Sequence, residues 1–379
     1  MRLEELVAIS QFYGSNSGYV IAGGGNTSFK DEKYLYIKGS GTSLANIEPE
    51  GFVKMERGLL SGIWEKTYPE EADKREAAVL ADMMAARAPG EEQKRPSVET
   101  LLHDLLPFTF VVHTHPSLVN GLTCSVNGEA AAAELFAGDA LWIPSTNPGY
   151  ILSRKVKELM EEFKTRRGKP PAIIFLQNHG VFVGADTVEE IKAIYRRIMD
   201  TLEAKIIRKP DISDTTYVYK FSEWFGRLLC GFGGRTEKEH DWYVQFRRNA
   251  EIARFVQDRA SFAPVSSAFT PDHIVYSGSS PLFIEDSTDD PSGKAADAWK
   301  THLERTGIIP KTIAYQGMGV FGIGISQKAA DNAVELFIDT VKVAVYAESF
   351  GGGRFMSEDQ ISFINNWEVE RYRSALLAK

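Results

Sequence analysis

Strand-length apolar segments alternate with helix-length segments along the first half of this chain. The clearest case is AIIFLQNHGVFV at 172–183, which predicts a strand, a turn and a second strand. A helix over roughly 188–207 follows it, with Thr187 as its N-cap. Such alternation indicates an α/β fold. Further helices are predicted over 2–13, 71–87, 94–106, 128–137 and 151–167, and further strands over 34–37 and 108–115 and at the start of 140–150.

The chain has 379 residues, more than one ordinary hydrophobic core holds, so two domains are expected. The polar, proline-containing segment RKPDISDTT at 208–216 is typical of a link between domains. We therefore expect a first domain over residues 1–208 and a smaller α/β extension over residues 209–379.

A segment of the second domain is similar to one in the first. QNHGVFVGADTVEEIKAIYRRIMDTLEAK at 177–205 and QGMGVFGIGISQKAADNAVELFIDTVKVA at 316–344 both read Q-x-x-G-V-F, then a small-residue turn, then a long helix. A weaker match relates YLYIKGS at 34–40 to HIVYSGS at 273–279. The second domain is therefore either a shortened, degenerate copy of the first or a strand–turn–helix that matches by chance.

Charge and composition exclude several classes of protein. The formal net charge of −8 argues against binding to nucleic acid or to an anionic membrane. No apolar stretch is long enough to span a bilayer, and the first residues, MRLEELVAISQFYG, lack the apolar core of a signal peptide. Cys124 and Cys230 form no C-x-x-C pair, which favours a reducing compartment. We expect a soluble cytoplasmic protein that acts on small molecules.

VVHTHP at 111–116 places two histidines two residues apart at the end of a predicted strand. Residues i and i+2 of a strand share a face, so His113 and His115 project together. His179 lies in the turn after another apolar strand. Three imidazoles with an open fourth position are typical of catalytic zinc. The alternative is a set of core histidines with satisfied hydrogen bonds; if the second domain is a copy, Met318 stands at the position of His179.

Glu99 is the candidate acid or base. It lies at the start of the helix predicted over 94–106, just after Ser97, the predicted N-cap. A carboxylate there could ligate a resting metal and act as general base once substrate displaces it. The alternative is a first-turn glutamate that complements the helix dipole. His103, four residues later on the same helix face, is either its partner or a packed helix histidine.

Two glycine-rich stretches, GGGNTS at 23–28 and KGSGTS at 38–43, are candidate phosphate loops. Glycine permits the positive φ that lets successive N–H groups surround an anion. The alternative is a pair of ordinary loops between strands. The candidate donors in these stretches are Asn26, Thr27, Lys38, Ser40 and Thr42.

GMGVFG at 317–322 matches the G-x-G-x-x-G pattern of dinucleotide-binding loops. Such a loop should open a helix directly, with an acidic residue about 20 positions later. Here Val320 and Phe321 continue an apolar strand, so we expect no NAD binding.

The ordered set GNTS, KGSGTS, PSVET, HTHP and NHG resembles the class II aldolase/adducin family over roughly residues 1–208. The resemblance implies a three-layer fold, with a central sheet flanked by helices, and a homotetramer with active sites at subunit interfaces. It implies a divalent metal, usually zinc, on His113, His115 and His179, with Glu99 as catalytic acid/base. The phosphate or substrate contacts that it implies are Asn26, Thr27, Ser40, Gly41 and Ser97.

RPSVETLLHDLLPFTFVVHTHP at 95–116, together with a C-terminal extension containing PDH, is most similar to the aldolase half of bifunctional rhamnulose-1-phosphate aldolase/lactaldehyde dehydrogenases. The chain ends before a dehydrogenase domain could begin, so we expect only aldol chemistry. The expected reaction is metal-dependent cleavage of a ketose 1-phosphate, similar to rhamnulose or fuculose 1-phosphate, to dihydroxyacetone phosphate and an aldehyde. The tyrosine that some members use as a proton donor falls near Glu134, where no tyrosine occurs, so a second proton donor stays unassigned.

Two rival functions stay open. The same metal and phosphate site could support a sugar-phosphate epimerase, dehydratase or decarboxylase, although glutamate rather than aspartate at position 99 favours an aldolase over an epimerase. A non-catalytic, adducin-like interaction protein would keep the fold and lose the metal ligands, and the three histidines argue against it. The extension could cap the pocket, mediate oligomerisation or bind a second ligand; its polar candidates are Asp272, His273 and Tyr276, with a packing role as the alternative.

Overall fold

A computed structural model describes residues 2–136, 138–213, 216, 219–231, 242–286 and 291–367. Contacts divide the chain into two compact units, Met1–Ile206 and Ile207–Lys379. Among the helices so described, none is both long enough and apolar enough to cross a membrane.

The first unit is built on one mixed sheet of seven strands, in the order β3-β2-β1-β4-β7-β6-β5. Neighbouring strands are antiparallel except β5 and β6, which are parallel. The strands are β1 Asn26–Lys30, β2 Tyr34–Lys38, β3 Phe52–Glu56, β4 Phe110–Thr114, β5 Ala140–Ile143, β6 Ile173–Leu176 and β7 Gly180–Ala185. The helices are α1 Arg2–Gly14, α2 Arg57–Ile63, α3 Ala72–Ala85, α4 Thr100–Leu105, α5 Ser117–Thr123, α6 Gly128–Leu135, α7 Tyr150–Arg167 and α8 Val188–Glu203.

Helices cover both faces of this sheet, as the strand alternation requires. On one face, Val111 of β4 packs in an apolar cluster with Leu102 of α4 and Val156 of α7. On the other, Thr114 of β4 donates a hydrogen bond to the hydroxyl of Tyr195 on α8 (2.9 Å). Since side chains alternate along a strand, positions 111 and 114 lie on opposite faces. The predicted three-layer α/β fold is confirmed.

Two sequence predictions in this unit are wrong in detail. The helix predicted over 94–106 begins only at Thr100, with Glu99 rather than Ser97 at its N-cap position. Pro96 forms a bridge with Gly39, and the Ser97 N–H donates to Lys38 O, so this segment is held extended beside β2. Asn26 lies on β1 and not in a loop, because β1 is paired on both sides, with β2 and with β4.

The second unit has a four-stranded sheet in the order β8-β11-β10-β9, in which only β9 and β10 are parallel. Its strands are β8 Tyr243–Arg247, β9 Leu282–Ile284, β10 Thr312–Tyr315 and β11 Gly319–Gly324. Its α-helices are α9 Tyr219–Gly231, α10 Ala250–Phe255, α11 Arg259–Phe262, α12 Pro291–Thr306, α13 Gln327–Ala347 and α14 Glu358–Asn366. A π-helix of this unit spans His273–Ser277, and short 3₁₀ helices span Ala263–Val265 and Glu348–Phe350. The first unit also has short 3₁₀ helices, at Leu44–Asn46 and Pro49–Gly51.

The four strands of the second unit repeat the order and directions of β4-β7-β6-β5 in the first. The register is also the same: Ile174 pairs with Phe182 in the first unit, and Ile313 pairs with Phe321 in the second. Phe182 and Phe321 occupy matching positions in the two similar sequence segments, and Ile174 and Ile313 lie three residues before those segments, so the topology favours the degenerate-copy interpretation.

A side-chain contact repeats in the same way. Gln177 Oε1 accepts a hydrogen bond from the Ser145 N–H, and Gln316 Oε1 accepts one from the Asp286 N–H, each at 3.1 Å. The weaker match of 34–40 with 273–279 has no structural counterpart, because the first segment contains a strand and His273–Ser277 is a π-helix.

Candidate active site

The candidate site lies where β1, β4 and β7 adjoin beneath α4. His113 of β4 is paired with Asn26 of β1 on one side and with Phe182 of β7 on the other. Directly paired residues of antiparallel strands share a face, so the three side chains form a row. The His113 imidazole stacks on Phe182, with 4.0 Å between ring centroids. This packing fixes the plane of a fully buried imidazole.

Three imidazoles converge at this point. The ligand-type nitrogens of His113, His115 and His179 all lie within 4.8 Å of one another. His115 directly follows β4, and its Nε2 is 2.8 Å from His113 Nε2. His179 lies in the turn from β6 to β7, where Asn178 takes a left-handed conformation (φ 59°) that asparagine tolerates better than most residues. The turn therefore places the His179 imidazole beside those of His113 and His115.

The three histidines fit a metal ion. His113 donates Nδ1–H to the carbonyl of Val181 (3.0 Å), which leaves Nε2 as an acceptor toward the other rings. Metal-ligating histidines characteristically make this second hydrogen bond. A Cβ at Gly180 would meet Thr114 O at 2.6 Å and a ring carbon of His115 at 2.7 Å, so the turn approaches the ligands as closely as glycine allows. All-imidazole ligation suits zinc and other divalent transition metals.

Glu99 faces the triad. Its Oε1 is 3.5 Å from His113 Nε2 and 3.6 Å from His179 Nε2. This atom is buried and has no hydrogen-bond partner among the residues the structure describes. A buried carboxylate oxygen without a partner is costly and needs a cation or a proton. The geometry therefore leaves a position between Glu99 and the histidines that a metal ion or a substrate group can satisfy.

The other carboxylate oxygen of Glu99 is held in place. Asn26 Nδ2 donates to Glu99 Oε2 (2.5 Å) and to Ser97 Oγ (3.2 Å). Ser97 Oγ also accepts a hydrogen bond from the Glu99 N–H (3.3 Å), so it stabilises the turn that leads into α4. Asn26 thus orients the carboxylate of Glu99, and Ser97 holds its backbone N–H.

Behind Asn26, a buried polar row follows one face of β1. His103 of α4 contacts Asn26 Oδ1 through Nε2 and Ser28 Oγ through Nδ1 (2.7 Å). Lys30 donates Nζ to the carbonyl of His103 (2.6 Å). Burial lowers the pKa of His103 well below its usual range and lowers the pKa of Lys30 to about 7. Ser28 and Lys30 were not predicted from the sequence, although the i, i+2 spacing of Asn26, Ser28 and Lys30 indicates one polar face of β1.

The phosphate candidates lie in three places. Asn26 and Ser97 touch each other beside Glu99. Ser40 and Gly41 lie in the loop after β2, whose Ser40 N–H donates to Arg95 O (2.8 Å), and Gly41 has a φ of 86° that favours glycine. Thr27 lies on the opposite face of β1, fully buried, with its hydroxyl 2.6 Å from Ser10 Oγ. The side chain of Thr27 therefore does not join the cluster.

The second unit lacks these ligands at the matching positions. Phe246, paired with Phe321, stands where His113 stands, and Met318 stands where His179 stands. Arg248 takes the position of His115 and donates to the carbonyl of Gly317 (2.6 Å). Within the described ranges, the first-unit triad is the only group of three or more histidine, cysteine or acidic side chains with this spacing.

The polar candidates of the extension are packed inside the second unit. His273 is 1% exposed, and its Nε2 lies 2.9 Å from Asp339 Oδ2 on α13. Asp272 and Tyr276 are both buried as well. These contacts support the packing interpretation for all three residues.

Comparisons with known proteins point to one family. A family model described as the class II aldolase and adducin N-terminal domain matches residues 4–205. The uncharacterized oxidoreductase YuxG of Bacillus subtilis (strain 168) is 23% identical over 414 residues, which cover 99% of this chain; the chain spans 58% of that protein's length.

Two solved structures illustrate the structural similarity. The N-terminal class II aldolase domain of a conserved protein from Thermoplasma acidophilum is 27% identical, with a TM-score of 0.46, covering 54% of this chain and 93% of its own. L-fuculose-1-phosphate aldolase from Thermus thermophilus is 15% identical, with a TM-score of 0.36, covering 54% of this chain and 94% of its own.

Proposed function

The chain belongs to the class II aldolase and adducin family, and from that premise we propose that it is a metal-dependent class II aldolase. The proposed reaction cleaves a ketose 1-phosphate, similar to rhamnulose or fuculose 1-phosphate, to dihydroxyacetone phosphate and an aldehyde. The observation that carries the proposal is the convergence of three imidazoles near Oε1 of Glu99, which accepts no hydrogen bond from the residues that the structure describes.

His113, His115 and His179 would hold zinc or another divalent transition metal. When bound, that ion supplies Lewis-acid stabilisation for the negative charge that develops on the substrate oxygens. The His113 hydrogen bond to Val181 and the stacking on Phe182 orient the ligand before any ion binds. Preorganised ligands of this kind lose little freedom when the site is filled.

Glu99 would move the proton at carbon. When the C3–C4 bond of the ketose breaks, the C4 hydroxyl passes its proton to solvent water as the aldehyde forms, and the electron pair of the bond stays with C3 of the dihydroxyacetone phosphate fragment. Solvent returns one proton to Glu99 in each turnover. Glu99 in its acid form then protonates C3; in the synthetic direction its carboxylate removes that proton. Asn26 occupies Oε2, so Oε1 is the atom that faces the reacting carbon.

The phosphate would bind beside Glu99. Ser40, Gly41 and Ser97 are the proposed phosphate contacts, because the bridge between Gly39 and Pro96 holds the loop after β2 against the segment that carries Ser97. Asn26, whose amide N–H groups are taken by Glu99 and Ser97, would hold Glu99 and Ser97 in place beside the phosphate. Backbone N–H groups in a glycine turn and side-chain hydroxyls are suited to phosphate oxygens. Thr27, bound to Ser10, would support the strand beneath them.

Solvent exchange tests the proposal without knowledge of the aldehyde. We expect the metal-loaded protein to exchange one C3 hydrogen of dihydroxyacetone phosphate for deuterium in D2O, followed by NMR. Glu99→Gln should keep the metal and lose exchange by about 100-fold or more, because general acid–base catalysis contributes that much. Glu76→Gln is the matched control, since Glu76 is also a buried carboxylate but accepts its hydrogen bond from Tyr150 N–H. Wild-type exchange in Glu99→Gln would contradict the assignment.

Product analysis then separates this activity from epimerisation, dehydration and decarboxylation on the same scaffold. Release of dihydroxyacetone phosphate from a ketose 1-phosphate supports the aldolase. The proposal extends to a catalytic domain over residues 1–208, an accessory extension over residues 209–379, a homotetramer and a cytoplasmic location. The family match over residues 4–205 supports placing the proposed aldol reaction in the first unit.

A further inference from the structure

We propose that His103 is a positioning residue: it fixes the orientation of the Asn26 amide and, through that amide, the carboxylate of Glu99. The inference rests on the proposed function, because the proton transfer assigned to Glu99 is the step that the orientation serves. His103 is fully buried, and its two ring nitrogens contact side chains of β1, Asn26 and Ser28. The side-chain hydrogen bonds of His103 therefore reach the carboxylate of Glu99 through Asn26.

The contacts form one directed chain of hydrogen bonds. The Ser28 hydroxyl donates to Nδ1 of His103 (2.7 Å), Nε2–H of His103 donates to Asn26 Oδ1, and Asn26 Nδ2 donates to Glu99 Oε2 (2.5 Å). The second N–H of the Asn26 amide is also used, by Ser97 Oγ at 3.2 Å. Every donor in the chain points toward the carboxylate, an arrangement in which each bond polarises the next.

This arrangement requires a neutral His103 with its proton on Nε2. Burial favours the neutral ring, because it lowers the pKa of His103 well below the ordinary value. A neutral imidazole has one donor and one acceptor, and the Ser28 hydroxyl satisfies the acceptor, Nδ1. Asn26 Oδ1 can only accept, so its contact with His103 requires the proton on Nε2, and the Ser28 hydroxyl, which can donate or accept, then donates to Nδ1.

The opposite orientation of the Asn26 amide is disfavoured by His103. The oxygen and nitrogen of an asparagine amide have nearly the same shape, so only hydrogen-bond partners distinguish them. A flipped amide would place Oδ1 against the carboxylate oxygen of Glu99 and Nδ2 against the Nε2–H of His103. Both contacts are repulsive, and Glu99 Oε2 would lose its donor. In a protein without His103, only the contact between Asn26 Oδ1 and the Glu99 carboxylate opposes the flipped amide, and the carboxylate gains freedom to rotate.

The backbone of His103 is anchored as well. Lys30 donates to its carbonyl (2.6 Å) at the end of α4, where no helical partner is available. Its ring lies edge-on to Phe182, at 5.3 Å between centroids, and Phe182 also stacks on the His113 ring. The His103 ring is thus held between β1 and Phe182, the residue on which the His113 ring stacks.

The test compares three variants in the deuterium-exchange assay. His103→Leu removes both hydrogen bonds, and we expect kcat for exchange to fall on the order of 100-fold, the scale of a misplaced catalytic group, with KM and metal content within about 2-fold of wild type. His103→Gln retains a donor and an acceptor at matching positions and should recover most of the lost kcat. Ser28→Ala should give an intermediate kcat. His302→Gln, which alters another buried helix histidine in the second unit, is the control and should leave exchange unchanged.

Several results would overturn the inference. Equal loss of kcat in His103→Gln and His103→Leu would show that ring packing matters and not the hydrogen bonds. Loss confined to KM or to metal content would place the effect on binding. If His103→Leu does not fold, His103→Gln and Ser28→Ala provide the test. We expect kcat of His103→Gln to exceed that of Ser28→Ala. Similar kcat values in the two variants, both well below the wild-type value, would contradict positioning by His103.

An imidazole ¹⁵N spectrum provides a readout that does not depend on the reaction. The His103 signals are identified by their loss in His103→Gln, and we expect a protonated Nε2 and an unprotonated Nδ1 at neutral pH. A protonated Nδ1 would overturn the inference even if exchange is observed. If the wild-type protein exchanges no dihydroxyacetone phosphate, the proposed aldol function fails, and the tautomer still decides whether His103 orients Asn26.

Discussion

Replacing Lys30 by methionine should change how the stability of the first unit depends on pH. Lys30 is 6% exposed, and burial lowers its pKa from 10.5 to about 7 in the folded protein. The unfolded chain therefore binds one more proton than the folded chain between about pH 7 and pH 10.5. The free energy of unfolding should rise with pH across this window, by at most about 1.4 kcal/mol per pH unit from this group.

The expected difference is large enough to measure. Between pH 7 and pH 9, the lowered pKa of Lys30 contributes an increase in unfolding free energy of roughly 2 kcal/mol. Lys30→Met has no titrating group at this position, so its unfolding free energy should lack this increase. All other titrating groups are common to both proteins, and the difference between their pH slopes isolates Lys30. The variant also loses the hydrogen bond to the His103 carbonyl, which lowers its stability by a similar amount at every pH.

Pulse labelling of Cys124 gives an assay specific to the first unit. Cys124 is fully buried, so its thiol reacts only after the surrounding structure opens. Both proteins are equilibrated in urea at pH 7, 8 and 9, labelled for a short time at one common pH, and the Cys124 peptide is quantified by mass spectrometry. If the free energy of unfolding depends on pH in the same way in the wild type and in Lys30→Met, the lowered pKa of Lys30 and its burial beside α4 are both contradicted.

Two further predictions concern the turn beside the triad and the cap of α8. Gly180→Ala should weaken metal binding by at least about 10-fold and lower the melting temperature, because a Cβ would meet Thr114 O at 2.6 Å and the His115 ring at 2.7 Å. Gly58→Ala, with no neighbouring atom within 4 Å in α2, is its control and should be neutral or stabilising; equal metal affinity in the two variants would contradict the packing argument. Thr187→Ala should cost about 1 kcal/mol in unfolding free energy, seen by calorimetry, because it removes a capping box; an unchanged melting temperature would show that the cap contributes no net stability.

Local sequence patterns predicted those parts of the fold that local physics determines. Thr187 caps α8 as predicted, because a capping box involves only residues three positions apart. The strand on either side of the His179 turn was recognised from its apolar run. His113 and His115 were placed on one site by the two-residue strand period, although His115 lies just beyond the end of β4.

The errors arise where distant segments decide the conformation. Asn26 looks like a loop residue in a glycine-rich sequence, but pairing with His113, 87 positions away, makes it the first residue of β1. Ser97 has the sequence context of an N-cap, yet its hydrogen bond to Lys38 and the bridge of Pro96 to Gly39 hold the segment extended along β2, so α4 starts only at Thr100. Thr27 was grouped with Asn26 by sequence proximity, while strand alternation directs it to the opposite face.

The metal content of the purified protein tests the central claim most directly. The account predicts about one divalent transition-metal ion per chain, measured by plasma mass spectrometry after dialysis, because the triad is a single three-imidazole site. His179→Ala should lose this ion, and His302→Ala, which removes a histidine of the second unit, should retain it. A protein that binds no such ion after exposure to zinc, or whose ion is retained in His179→Ala, would contradict the three-histidine centre on which the proposed aldol chemistry depends.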